Sequence, residues 1–126
     1  MKTENIIVDK SKAFAIRTIR LFQHLQSEKK EFILSKQFLR SGTSIGANIK
    51  ESVYGQSTKD FVFKLRIALK EASETEYWIE LLFETGYITE KEFISIHTDC
   101  VELIKILISI INSSDKNKNE SPKSEF

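Results

Sequence analysis

The residues of this chain best suited to chemistry are few. His97 and Cys100 stand three apart, which on a helix puts an imidazole and a thiol on one face, the arrangement of a thiolate–imidazole pair. They share that face with Phe93, Ile104 and Leu107, so the pattern fits a core cysteine with a histidine at the edge of an apolar stripe better than a nucleophile. A metal centre needs three or four ligands, and one Cys with two His, His24 and His97, cannot assemble one from soft ligands. Neither His has Glu three residues before it, as the di-iron bundles require. The small-residue run Ser41-Gly42-Thr43-Ser44-Ile45-Gly46 lacks the Gly-Lys-Ser/Thr of a phosphate loop. No catalytic, cofactor-binding or metal-binding residue and no small-molecule substrate is therefore expected.

That small-residue run is unusual in another way. Composition suggests a loop, but Phe38, Ile45, Ile49 and Val53 recur at helical intervals, and Gly42 fills the remaining place. Beside them Ser41, Ser44, Asn48 and Glu51 form a polar stripe spaced 3, 4 and 3. Each Gly inside a helix gives up about 1 kcal/mol relative to Ala, so the tertiary structure must offset the loss. One role is close helix approach, with Gly42 and Gly46 admitting a neighbouring backbone and the polar groups pairing across it. The other is a groove facing a ligand or partner. The first is favoured, and predicts that Asn48 and Glu51 are buried or at an interface. Arg40 and Glu51 lie about three turns apart by helical rise, so each needs a partner on another helix or subunit.

Four helices must position these residues. The first spans about Asp9–Glu28, with Phe14, Thr18, Leu21 and Leu25 on one stripe. The second spans about Ser35–Tyr54, with Gly55 as a left-handed C-cap. The third begins after Ser57, where Ser57-Thr58-Lys59-Asp60 resembles a capping box, and its stripe Phe61, Leu65, Ala68, Ala72, Thr75, Ile79, Leu82 alternates steps of 4 and 3 up to Gly86. Thr89-Glu90-Lys91-Glu92 opens the fourth, which reaches about Asn112. Short connections make consecutive helices antiparallel neighbours. The fold class is all-α: an antiparallel up-down-up-down four-helix bundle over residues 9–112, with a lead over 1–8 and a disordered polar tail over 113–126.

Composition agrees. The chain has 126 residues, one Pro and four Gly, too few turn formers for a β-sandwich or barrel. A single Cys suits a reducing cytoplasm. Ile6-Ile7-Val8 is too short an apolar run for a secretory signal, and no run approaches the roughly 18 residues of a membrane span. The expected localisation is cytoplasmic, without membrane contact.

Helix 4 is apolar around its axis. From Val101 to Ile111 only Glu102, Lys105 and Ser109 are polar, whereas one bundle core buries one stripe. A Leu or Ile left in water forgoes ~1.5–3 kcal/mol, so a second apolar face predicts a subunit interface. Ile108 and Ile110 cannot both face the core, and spacing does not say which faces the partner.

The motif Arg40-Ser41-x-x-Ser44-Ile45-x-x-Asn48-Ile49-x-Glu51, with Lys59-Asp60-Phe61, Ala68 and Ser73-x-x-Glu76, resembles the bacterial four-helix bundle proteins encoded in intervening sequences of 23S ribosomal RNA genes. The resemblance spans about residues 9–112. It implies a ring-shaped homopentamer and no enzyme. Accessory proteins of diversity-generating retroelements are similar, and imply RNA or a retroelement reverse transcriptase as partner. Where the family tends to Ala-Glu-Gly after Asn-Ile, this chain has Lys50-Glu51-Ser52, and where the retroelement relatives are strongly basic its net charge is +1. The expected function is that of a non-enzymatic binding or accessory module. The alternative is a protein–protein adaptor or structural oligomer with no nucleic-acid role.

Charge is unevenly distributed. Residues 1–70 carry 14 Lys and Arg against 6 Asp and Glu; residues 71–126 carry 5 against 12. An up-down bundle gathers Lys10, Lys12, Lys50, Lys59, Lys64, Arg66 and Lys105 at one end. Glu76, Glu80, Glu84, Glu90 and Glu92 gather at the other, partly balanced by Lys29, Lys30 and Lys36. Such a basic end could attract phosphate or steer a protein partner.

Overall fold

The computed structural model describes residues 2–123, with side chains described for 6–115. Four helices, α1 (Lys2–Ser27), α2 (Leu34–Ser52), α3 (Thr58–Glu84) and α4 (Glu90–Lys123), follow one another around a single core. Each packs on its sequence neighbours, and α4 closes the circuit against α1, which it meets least. Among the described residues there is no strand, and the architecture is the expected all-α four-helix bundle.

The core is built from the apolar stripes. Phe14 and Leu25 of α1, Phe38, Ile45 and Ile49 of α2, Leu65, Ala68, Ala72, Ile79 and Leu82 of α3, and Ile96, Cys100, Leu103 and Leu107 of α4 are all buried. Two stripes start or end one residue away from expectation. Val62, not Phe61, opens the buried row of α3, and Ser52 rather than Val53 closes that of α2, leaving Val53 47% exposed. At the far end of a stripe the 3.6-residue period has drifted, and the neighbouring position takes the inward place.

The terminal helices are longer than expected. α1 already starts at Lys2, because Ile7 is buried in the core and Val8 packs on it, which gives the first turns something to fold against. α4 continues to Lys123. Residues 113–121 contain no Pro or Gly to stop it. The separate lead and the disordered tail are thus replaced by helix wherever the chain is described; residues 1 and 124–126 lie outside the described residues.

The helix starts show how local sequence sets the boundaries. Ser57 caps α3 by accepting the Asp60 N–H at 3.1 Å. Thr89 and Glu92 form a reciprocal box, Glu92 N–H donating to Thr89 Oγ1 at 3.1 Å and Thr89 N–H to Glu92 Oε1 at 2.8 Å. These backbone and hydroxyl bonds hold the Glu92 carboxyl below its ordinary range. Gly55 is not a left-handed cap: Gly86 is the one glycine with positive φ, at 85°. Gly55 is needed for space instead, since a Cβ there would lie 3.2 Å from both the Phe61 nitrogen and the Ser52 carbonyl oxygen.

α2 is capped by a residue outside any capping-box pattern. Buried Glu31 reaches forward, its carboxylate accepting N–H groups of Ser35 at 2.7 Å, Leu34 at 3.1 Å and Ile33 at 3.2 Å. Burial pushes this carboxyl up, but the bonds from Ser35, Leu34 and Ile33 outweigh it and hold the group below its ordinary value of 4.5. The folded state therefore releases the proton more readily than the unfolded chain. The stability this contributes is present above the unfolded value and is lost as pH falls through the folded one. Glu31→Ala should cost about 1–2 kcal/mol at neutral pH, measured by denaturant unfolding, and the difference from wild type should shrink on acidification. A difference independent of pH would show that the carboxylate charge plays no part.

Candidate functional site

The motif residues of α2 point mostly at α3. Ser41 is buried, with Thr75 Oγ1 2.8 Å from its hydroxyl, and Thr75 donates to the Glu71 carbonyl at 2.7 Å. Arg40 contacts the carboxylates of Glu71, at 3.2 Å, and Glu74, and Glu74 also accepts the Trp78 indole N–H at 3.0 Å. Glu51 pairs with Lys64 at 3.0 Å. Arg40 and Ser41 thus clasp α3 at one level and Glu51 at another. Ser44 and Asn48 turn inward on their own helix instead, donating to the carbonyls of Arg40 at 2.6 Å and Ser44 at 2.9 Å. Asn48 is half-buried, and Glu51 is exposed in the single chain rather than buried. The charge of Glu51 is served by a surface lysine, a pair worth little on its own.

Gly42 and Gly46 do admit a neighbour, but it is α1. A Cβ at Gly42 would overlap the Thr18 side chain at 2.6 Å, and one at Gly46 would lie 3.3 Å from the Ser11 carbonyl oxygen. The small residues therefore serve α1–α2 approach while the polar stripe serves α2–α3. Side-chain N and O atoms that are fully buried all have partners among the described residues, so the buried part of the seam is satisfied internally.

The six residues of the basic end that lie on α1, α2 and α3 divide. Lys10 pairs with Glu102 at 3.2 Å, Lys64 with Glu51, and Arg66 with Asp115. Lys12, Lys50 and Lys59 have no carboxylate in pairing range among the described residues. Nor is the opposite end uniformly acidic. Between α1 and α4 there, a groove of about 420 Å³ is lined by Arg17, Arg20, His24 and Lys91 together with Glu92. Arg17 bridges the seam to Asp99 and Ser95 of α4. Charge thus divides by face as well as by end. Summing charges by helix terminus missed this because it ignored which side of α1 each arginine occupies.

His97 and Cys100 do not act together. Cys100 is fully buried and its thiol donates to the Ala72 carbonyl at 3.4 Å. Burial, with the Glu76 charge nearby, pushes its pKa up to about 12, the reverse of what a nucleophile needs. His97 instead meets α3, its Nε2 2.9 Å from Glu76 Oε2. Glu80, one turn further along α3, completes a set of donor atoms lying within 4.8 Å of one another. Searching for ligands within single helices overlooked this set. The available signal was Glu76-x-x-x-Glu80 on the helix antiparallel to the one bearing His97.

No helix is long and apolar enough to cross a membrane among the described residues. Among curated proteins, none matches this sequence. The chain is similar to a protein of unknown function from the S23 ribosomal protein family of Bacteroides thetaiotaomicron VPI-5482, whose crystal structure was determined at 1.70 Å resolution. The two share 56% identity with a TM-score of 0.86, covering 87% of this chain and 98% of that one. The family model described as 23S rRNA-intervening sequence protein matches residues 3–109, which is all of α1, α2 and α3 but the first residue of α1, and α4 through Ser109. With sequence and four-helix geometry in agreement, the chain belongs to the 23S rRNA-intervening sequence protein family.

Proposed function

We propose that this chain is a non-enzymatic binding module that works as a homo-oligomer, a ring-shaped pentamer, and holds a protein partner. The observation that carries the reading is the outward face of α4. Ile94 and Ile108 are 55% and 42% exposed, with half-buried Val101 between them. These three recur every seven residues, the spacing of a helix–helix seam. Ile16 and Ile19 of α1 add exposed apolar surface, at 44% and 41%. A satisfied interior and a fully buried, non-nucleophilic cysteine support a module that binds rather than one that catalyses.

The internal pairing of Lys10, Lys64 and Arg66 supports a protein partner over nucleic acid. A second reading, binding of RNA or association with a reverse transcriptase as an accessory protein, draws on Lys12, Lys50 and Lys59. These gather at one end of the chain and would be repeated on one rim of a ring. The two readings part in a gel-shift series with structured RNA at rising salt. The adaptor reading expects no retardation at low salt. Retardation that weakens with salt, and that Lys12→Glu/Lys50→Glu/Lys59→Glu abolishes, would replace it with the RNA reading. Light scattering tests the oligomer independently, and a mass of 14.6 kDa at micromolar concentration would remove it.

A further inference from the structure

We propose that Glu76, Glu80 and His97 bind a first-row divalent metal ion of the zinc type between α3 and α4. Each residue offers one donor atom, and the three donors lie within 4.8 Å of one another. Ligands that share an ion at about 2.0–2.2 Å lie no more than about 4.4 Å apart, and about 3.5 Å apart in a tetrahedron, so the set must draw together by roughly an ångström. Only small side-chain adjustments would close the set.

The electrostatics point the same way. Glu76 and Glu80 stand four residues apart on α3, where like charges repel. Neither has a Lys or Arg in pairing range among the described residues. Two other carboxylates of this helix, Glu71 and Glu74, do have a cation, since both contact Arg40. A protonated His97 would balance one carboxylate of the two, whereas a divalent cation balances both and leaves the imidazole neutral, as a ligand requires.

The histidine is also held in place. Phe93, one turn earlier on α4, stacks on its ring with centroids 4.8 Å apart and planes 18° apart, and Phe83 of α3 stacks on Phe93 at 4.5 Å. Both His97 and Glu76 are less than one third exposed, at 28% and 30% of the side chain, so the site is shielded yet reachable. Cys100 cannot be a fourth ligand, since its thiol is engaged by Ala72. One imidazole with two carboxylates suits zinc, manganese or iron(II) and not the all-oxygen sets of calcium and magnesium. Three protein ligands leave at least one position open to water or to a donor from a partner. The ion would tie α3 to α4 across the side of the bundle away from the α2 motif.

The test is zinc titration of the chelator-treated full chain in competition with a chromogenic zinc chelator, and cobalt(II) absorption as a readout of ligand type. A single zinc per chain with micromolar affinity is expected, and cobalt should give d–d bands. His97→Ala and Glu80→Gln should each weaken zinc at least about tenfold and remove the bands, whereas His24→Ala should change neither. Circular dichroism of the variants confirms that the bundle is intact; both positions lie at the half-exposed edge of the core, and Glu80→Gln keeps the side-chain shape. Absence of saturable zinc binding at millimolar concentration would overturn the site. So would binding that survives both substitutions unchanged, which would mark it as adventitious.

Discussion

Ile108→Glu is expected to break the assembly into folded single chains, and Ile110→Glu to unfold the bundle. The two residues are only two apart, but about half a turn of the helix separates their fates. Ile110 is 7% exposed and packs in the core, whereas Ile108 is 42% exposed on the outward stripe with Ile94. Truncating a buried Ile alone costs about 2–5 kcal/mol, and a carboxylate in its place adds the cost of desolvating a charge. For a marginally stable domain of this size that is most of the available stability. At Ile108 the charge sits in water in the single chain, so its effect on the fold should stay within about 0.5 kcal/mol. In a symmetric assembly the same substitution enters every interface at once. Light scattering should fall to the mass of one chain while helical circular dichroism persists. An Ile108→Glu protein that keeps its assembled mass would move the interface off α4.

Gly42→Ala is expected to destabilise the protein, and the same change in a Thr18→Ala background to stabilise it. The new Cβ would lie 2.6 Å from Thr18 Cγ2 and 2.8 Å from Oγ1. Thr18 cannot easily turn away. It is fully buried, β-branched and thus stiff at χ1, and its hydroxyl donates to the Phe14 carbonyl at 2.9 Å. Overpacking of this kind costs about 1–3 kcal/mol, against a helix-propensity gain of roughly 1 kcal/mol for Ala over Gly. The net loss should be up to about 2 kcal/mol, since Thr18 is too constrained for the clash to relax fully. Thr18→Ala removes both atoms closer than 3 Å and leaves only its Cβ, at 3.3 Å, so most of the propensity gain should remain. Denaturant midpoints of the four proteins in this cycle measure the coupling directly. Additive effects would mean that α1 and α2 can separate by a few tenths of an ångström at no cost, and that close approach is not why Gly42 is there.

Much of the fold was legible because each helix carries its own instructions. The 4-and-3 spacing of Leu65, Ala68, Ala72, Thr75, Ile79 and Leu82 fixes the buried face of α3 without reference to any other helix. Ser57 and Thr89 start their helices through bonds made within four residues. Where boundaries were misplaced, the deciding contact came from further away. Ile7 extends α1 because a core is there to receive it, and Glu31 starts α2 by reaching forward to the amides of Ile33, Leu34 and Ser35.

The candidate site was less legible, because it depends on pairs between helices. Spacing put Ser41, Ser44, Asn48 and Glu51 on one stripe, but not which would turn to α3 and which back to their own carbonyls. It gathered Lys10, Lys64 and Arg66 into a basic end, but not the carboxylates that Glu102, Glu51 and Asp115 bring to them. It gathered Glu76 and Glu80 at an acidic end and put His97 at the edge of an apolar stripe, but not that an antiparallel crossing lays His97 beside Glu76.

By itself, then, the amino-acid order determined the helices, their buried stripes and their up-down sequence, since periodicity and capping are properties of a few consecutive residues. The tertiary structure decided which of Ile108 and Ile110 meets water, which glycine makes room and which makes a turn, and which charges pair across helices. These depend on the rotation of each helix about its axis and its height against its neighbours. Both are set by the packing of all four helices together, and no local pattern encodes them.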